Sequence, residues 1–210
     1  MAKFSIIFDL DGTLWNATQT VDVAWQRIIK EECKDMHFTV EDFKKIAGMT
    51  TEEIADTLFS NYDEKKRKEI LNKCLEEENV EIRKQGGILF PKVIEILNEL
   101  SKEYDLYIVS NCQKGYIESF LDYYDLSTLF KDIECYGNNE KEKKENIELI
   151  KERNKIEKCC YIGDTNGDAR SARESNTPFI YASYGFGNVN DYDEILYKFE
   201  DIVECIKKIR

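Results

Sequence analysis

Five short apolar runs set the strongest limit on how this chain can fold: Phe4 to Phe8, Leu106 to Val109, Ile133 to Tyr136, Cys159 to Ile162 and Phe179 to Ala182. Each reads as a strand, and each of the last four is separated from the next by a loop or an amphipathic helix pattern. Ile117, Phe120, Leu121 and Tyr124 recur at helical spacing, as do Ile147, Ile150 and, less cleanly, Leu149. Strands alternating with helices predict an α/β fold, a doubly wound parallel sheet with helices on both faces. Between the first and second runs the rhythm breaks. Residues 16 to about 84 carry no strand pattern but several helical ones, through Val21, Ala24, Trp25 and Ile28, through Ile46, Ile54, Leu58 and Phe59, and through Ile70, Leu71, Cys74 and Leu75. That is ~70 residues of helix, enough for a small bundle. The chain re-enters the alternating region through Gly86, Gly87 and Pro91, a hinge signal. The expected division is a core of residues 1–15 and 85–210 with an all-helical insertion at 16–84. Ligands of such sheets bind at the carboxyl ends of the strands, so the insertion is positioned to cover a site.

Four polar signals fall at those strand ends. "DLDGT" puts Asp9 and Asp11 on the same side of an extended segment, with Leu10 turned to the core. "GDTNGD" puts Asp164 and Asp168 after the run "CCYI" and before the helical "ARSARES". Each stretch alone also reads as an Asp-rich turn or helix cap. Neither is an EF-hand, which needs Gly at its sixth position and Glu at its twelfth. Counted from Asp9 those positions hold Leu14 and Thr20, and counted from Asp164 they hold Ala169 and Ser175. Two acidic clusters at two strand ends share a natural partner in a hard divalent cation, and Mg²⁺ suits so open a site. "YIVSNC" closes the second strand with Ser110 and Asn111 and leads into a helix beginning near Lys114, an anion cradle or simply a cap. Finally, "NNEKEKKENIELI" offers Lys141, Lys143 and Lys144 near a helix N-terminus, where a cation opposes the macrodipole unless it has an anion to hold.

Charge and composition narrow the partners. The formal charge is −12, from 42 acidic against 30 basic residues, which argues against nucleic acid or an anionic membrane. No apolar run approaches the ~20 residues of a membrane span, and Asp9 interrupts the first one, so no secretory signal is expected. Seven cysteines form no C-x-x-C pair, and His37 is the single histidine, so no zinc pattern assembles. The cysteines read as reduced thiols of a cytoplasmic protein, with Cys135, Cys159 and Cys160 in the core. A mechanism using a histidine base would need His37, whose neighbourhood "KDMHFT" carries no nucleophile signature.

Taken in order, "DLDGT", "YIVSN", a lysine before a helix and "GDTNGD" resemble the haloacid dehalogenase-like hydrolase superfamily over nearly the whole core. The insertion looks like that superfamily's helical cap of the first type, as in phosphoglycolate phosphatase-like members. The resemblance implies a Rossmann-like core and Mg²⁺-dependent hydrolysis of a small-molecule phosphate ester. Asp9 matches the nucleophile that becomes an aspartyl phosphate, and Asp11 the acid that protonates the leaving oxygen and then activates water. Ser110 and Asn111 match the phosphate-binding loop, and Lys143 fits the family's spacing for the neutralising lysine, with Lys141 as the alternative. Asp9, Asp11 (through its backbone carbonyl), Asp164 and Asp168 match the metal site. The physics agrees, because an ionised carboxylate attacking a phosphate dianion needs a metal ion, a lysine and N–H groups to offset the repulsion. Dehalogenases of the superfamily lack an acid at the position of Asp11, so phosphoryl transfer is implied. Phosphomutases carry a cap histidine where this chain has the region of Val21, and a phosphonatase would need a cap lysine such as Lys30 or Lys34. A phospho-acceptor without turnover is a further alternative. One departure is "DGTLWNA", with Trp15 and Asn16 where many relatives read "DGTLxDS".

Overall fold

The first strand is apolar from end to end because it lies at the centre of a sheet covered on both faces. The computed structural model describes residues 3–34, 36–46 and 48–210. In it β1 (Ser5–Phe8) is buried throughout and is flanked by β4 (Asp105–Ser110) and β6 (Cys159–Gly163), with Phe8 opposite Ile108 and Ile162. Adding β5 (Phe130–Cys135), β7 (Phe179–Ala182) and β8 (Glu194–Leu196) gives a six-stranded sheet in the order β5-β4-β1-β6-β7-β8, every pair parallel. The strand order reverses at β1, and such a switch point opens a crevice at the carboxyl ends of β1, β4 and β6.

Alternation along the strands divides the core into two layers. Ile6, Phe8, Ile108, Ile162 and Ile180 face Leu97 of α5 (Val93–Glu103), Phe120 of α6 (Tyr116–Tyr124) and Ile202 of α10 (Ile202–Ile209). Ile7, Val109, Tyr161 and Phe179 face Ile147 and Ile150 of α8 (Lys143–Arg153) and Ala169 and Ala172 of α9 (Asn166–Glu174). The architecture is the expected α/β one, Rossmann-like, with corrections at the edges. The third expected strand begins earlier, at Phe130, and Tyr136 instead opens the short α7 (Tyr136–Asn139). Helix α6 starts at Tyr116, two residues after Lys114. The edge strand β8 was not expected, since its three residues begin with a glutamate and carry only two apolar side chains.

Among the described residues, four helices lie between β1 and α5: α1 (Thr18–Glu32), α2 (Val40–Ile46), α3 (Thr51–Leu58) and α4 (Glu64–Gln85). Helices α1 and α4 are joined by the Trp25 indole, which donates to Glu78 at 2.5 Å, and by Lys66 and Lys73, which both reach Glu32. The single helical pattern read through Ile46 and Ile54 is two helices. A capping box in which Thr50 and Glu53 satisfy each other's backbone N–H starts α3 afresh. The insertion is tied to the sheet by a two-residue antiparallel pair, β2 (Trp15–Asn16) with β3 (Ile88–Leu89), where no strand was expected at residue 16. Trp15 anchors this neck against Tyr116, Phe120 and Tyr124.

The return neck passes through Gly86, whose φ of 65° and ψ of −159° suit glycine alone. A Cβ there would stand 2.3 Å from the ring of Tyr123. Gly86→Ala should therefore destabilise the fold by about 1–3 kcal/mol, read as a lower midpoint in urea unfolding. An unchanged midpoint would mean that the neck tolerates a different backbone path.

Candidate active site

The first loop turns back on itself immediately after β1. Asp9 still donates its N–H to Ile162 at 2.8 Å, Leu10 is fully buried, and Leu14 N–H closes onto the Leu10 carbonyl at 2.9 Å. Gly12 makes the turn at φ +79°, and a Cβ on it would lie 2.3 Å from an Asp164 carboxylate oxygen. The loop after β1 is thereby packed directly on the loop after β6. Asp9 is 4% exposed, while Asp11 is half-buried and its Oδ1 accepts from the Tyr116 hydroxyl at 2.8 Å.

Lys143, the first residue of α8, connects the two acidic stretches. Its ammonium donates to Asp9 Oδ1 at 2.8 Å and to Asp168 Oδ1 at 2.5 Å. Asp168 is also the third residue of α9, where its Oδ2 accepts from the Thr165 N–H at 2.9 Å, the Thr165 hydroxyl at 2.6 Å and the Asp164 N–H at 3.2 Å. Helix cap and ion pair are one carboxylate's two oxygens. Asp164 differs. Its Oδ2 accepts from the Phe186 N–H at 2.7 Å, but its Oδ1 is buried with no partner among the described residues.

Ligand oxygens of Asp9, Asp164 and Asp168 lie within 4.8 Å of one another, all three residues buried. Lys143 pairs with two of the three carboxylates and leaves Asp164 with an orphaned oxygen, so the donor set fits a hard divalent cation. The electrostatics say the same. Burial, with the neighbouring Asp168 charge, pushes Asp9 up to about 6 against the pull of Lys143. Burial and the charges of Asp168 and Asp9 push Asp164 well above the carboxylate range. Burial works against the charge of Lys143, but Asp168 and Asp9 outweigh it and hold the ammonium protonated. Lys143 in turn overcomes the burial of Asp168 and keeps it ionised. The Asp11 carboxylate stands apart from this cluster, and burial pushes it up to about 8.

Ser110, at the end of β4, is buried and lines a cavity with Asp9 and Asp11. Asn111 lines it too, and its Nδ2 donates to the Gly48 carbonyl at 2.9 Å, across to the insertion. Of the three candidate lysines Lys143 is 4% exposed, Lys144 half-buried and Lys141 exposed. His37, Lys30 and Lys34 line a separate cavity. Trp25 and Met49 of the insertion line the first cavity, whereas Thr50 caps α3. Sequence reasoning missed Tyr116, Tyr161 (which donates to Asp168 at 3.3 Å) and Glu78. The "SYGFGN" loop, 183–188, follows β7 at the same end of the sheet. The loop holds Asp164 through backbone N–H groups and ties to the first loop through the Tyr184 hydroxyl, 2.9 Å from the Thr13 carbonyl.

Known proteins are similar to this chain over most of its length. The haloacid dehalogenase-like hydrolase family matches residues 6–182. The chain is 27% identical over 196 residues to phosphoglycolate phosphatase of Aquifex aeolicus, covering 88% of this chain and 87% of that one. It is 24% identical over 216 residues to the pyrophosphatase PpaX of Oceanobacillus iheyensis, covering 98% of each. A haloacid dehalogenase-like family hydrolase from Streptococcus pneumoniae has the same fold, with a TM-score of 0.83 at 22% identity over 99% of both chains. A match that runs from β1 through β7 and takes in every strand-end acid makes this chain a member of the haloacid dehalogenase-like hydrolase family.

Proposed function

We propose that this chain is a Mg²⁺-dependent phosphatase that hydrolyses a small-molecule phosphate monoester through an aspartyl phosphate on Asp9. Membership of the hydrolase family, with relatives named as a phosphoglycolate phosphatase and a pyrophosphatase, supports phosphatase activity. The observation that carries the mechanism is the Lys143 ammonium held between Asp9 and Asp168 beside the unpartnered Oδ1 of Asp164.

On this reading Asp9 attacks phosphorus. Its carboxylate is presented by β1 in a fixed direction, and Lys143 removes part of the repulsion between it and a phosphate dianion. Asp11, on the cavity wall two residues away, gives its proton to the leaving oxygen and afterwards takes one from the attacking water. The Tyr116 hydroxyl orients that carboxyl. Ser110 through its hydroxyl and Asn111 through its main-chain N–H, its side-chain amide being committed to Gly48, bind phosphate oxygens from the end of β4. Mg²⁺, held by Asp9, Asp164 and the Asp11 carbonyl, would neutralise charge on the phosphoryl group. Both oxygens of Asp168 are already engaged, so its part is to hold Lys143 and the start of α9 around the metal site. The helices at 16–84 act as a cap that excludes water from the reacting atoms.

Two measurements test this reading. Turnover of p-nitrophenyl phosphate should vanish in EDTA and return with Mg²⁺, and Asp9→Asn should lower kcat by about 10⁴-fold or more with the fold intact. Metal-independent turnover, or an active Asp9→Asn enzyme, would contradict the mechanism. Lys143→Met should lower kcat by about 10²–10³-fold, the usual loss on removing one preorganised charge partner of a transition state. A loss confined to KM would assign the lysine to substrate binding alone.

A further inference from the structure

Between the helical insertion and the strand ends lies a cavity of about 60 Å³ bounded on the sheet side by Asp9, Asp11 and Ser110. At the ~10–15 Å³ that one water-sized group requires, it admits about four such groups. Its insertion side is apolar, with Trp25, Ile54 and Leu75, and is interrupted by the carboxyl of Glu78 on α4. Glu78 is 4% exposed. Its Oε1 accepts from Gln113 Nε2 at 3.1 Å and its Oε2 from the Trp25 indole at 2.5 Å. A carboxylate offers about four acceptor sites, so two neutral donors leave it with room. No lysine, arginine or histidine is among the described residues that line the cavity. Asn111 adds a second unmet acceptor. Its Nδ2 is committed to the Gly48 carbonyl, and its Oδ1 is buried without a partner among the described residues.

The cavity thus presents acceptors and no cation to whatever is bound beyond the phosphoryl group. A buried carboxylate without a counter-charge is costly, and a ligand ammonium would remove that cost. A ligand carrying a second anion would raise it. We propose that the cavity selects the phosphate monoester of a small amino alcohol, with Glu78 as the specificity-determining residue that receives its ammonium. The assignment rests on the phosphatase reading above and names the class of its substrate. Burial pushes the Glu78 carboxyl up to about 7, as befits an acid with no cation beside it.

The test compares kcat/KM for phosphoethanolamine, 2-hydroxyethyl phosphate and phosphoglycolate, esters of similar size ending in ammonium, hydroxyl and carboxylate, with p-nitrophenyl phosphate as a generic ester. The wild-type enzyme should prefer the ammonium ester to the carboxylate ester by about tenfold or more, with the hydroxyl ester between. Ethanolamine should compete with the generic ester, and glycolate should not. In Glu78→Gln the ammonium-to-carboxylate ratio should fall to within about threefold of unity. Preference for phosphoglycolate, or an unchanged ratio in the variant, would overturn the assignment while leaving the phosphatase reading intact. Failure on every ester, p-nitrophenyl phosphate included, would overturn both. If Glu78→Gln does not fold, the wild-type order and the ethanolamine competition decide alone.

Discussion

The ammonium of Lys143 lies 2.8 Å from Asp9 and 2.5 Å from Asp168, with 4% of the lysine exposed, and the rest of the site is arranged around it. Ionised groups so far from water are tolerated only when paired, and removing one partner of such a pair typically costs about 3–5 kcal/mol. Pairing here is incomplete by design of the fold. Asp9, Asp164 and Asp168 converge within 4.8 Å, Lys143 pairs with only two of them, and the Asp164 Oδ1 has no donor among the described residues. A divalent cation would complete the charge balance. Burial, reinforced by the neighbouring carboxylates, pushes Asp9 and Asp164 upward, while the Lys143 ammonium holds Asp168 down despite its burial.

This concentration of charge is possible because the sheet delivers residues from distant parts of the sequence to one edge. β1 and β6 are neighbours in register, so the acids that follow them emerge side by side. Glycines then allow the loops to touch: at Gly12 and at Gly185 a Cβ would lie 2.3 Å and 2.4 Å from atoms of Asp164. Backbone N–H groups of Phe186 and Gly187 fix that carboxylate from the far side. None of these contacts requires the insertion, whose helices close over the strand ends and contribute the walls of the cavity. On the proposed function, chemistry and selection are carried by separate parts of the chain. The strand ends hold the acids and the lysine, and the helices carry Trp25, Leu75 and Glu78.

What could be read from sequence follows the same physics. β1, β4, β6 and β7 were legible because strands buried on both faces must be apolar, and the strand-end acids stood out against those runs. The start of β5 was less legible, since Lys131 and Asp132 interrupt it, and β8 was hidden by its brevity at the sheet edge. The break between α2 and α3 had a signal in Thr50 and Glu53, a capping box that the apolar periodicity masked. Glu78 had none. It follows Glu76 and Glu77 in a highly charged helix, and only the packing of α4 on α1 and against Gln113 sets it apart from its exposed neighbours. The clamp on Asp164 was equally invisible, because it is made by main-chain N–H groups that any residue could supply.

The central claim is that Asp9, held by Lys143 at the end of β1, forms a bond to phosphorus. The most direct measurement is an acid quench during steady-state turnover of a ³²P-labelled ester with Mg²⁺, followed by peptide mapping of the labelled protein. The account predicts an acid-stable, hydroxylamine-sensitive label on the peptide that contains Asp9, and no label when Asp9 is asparagine. Turnover with no labelled protein at any quench time, or with the label on another residue, would contradict it.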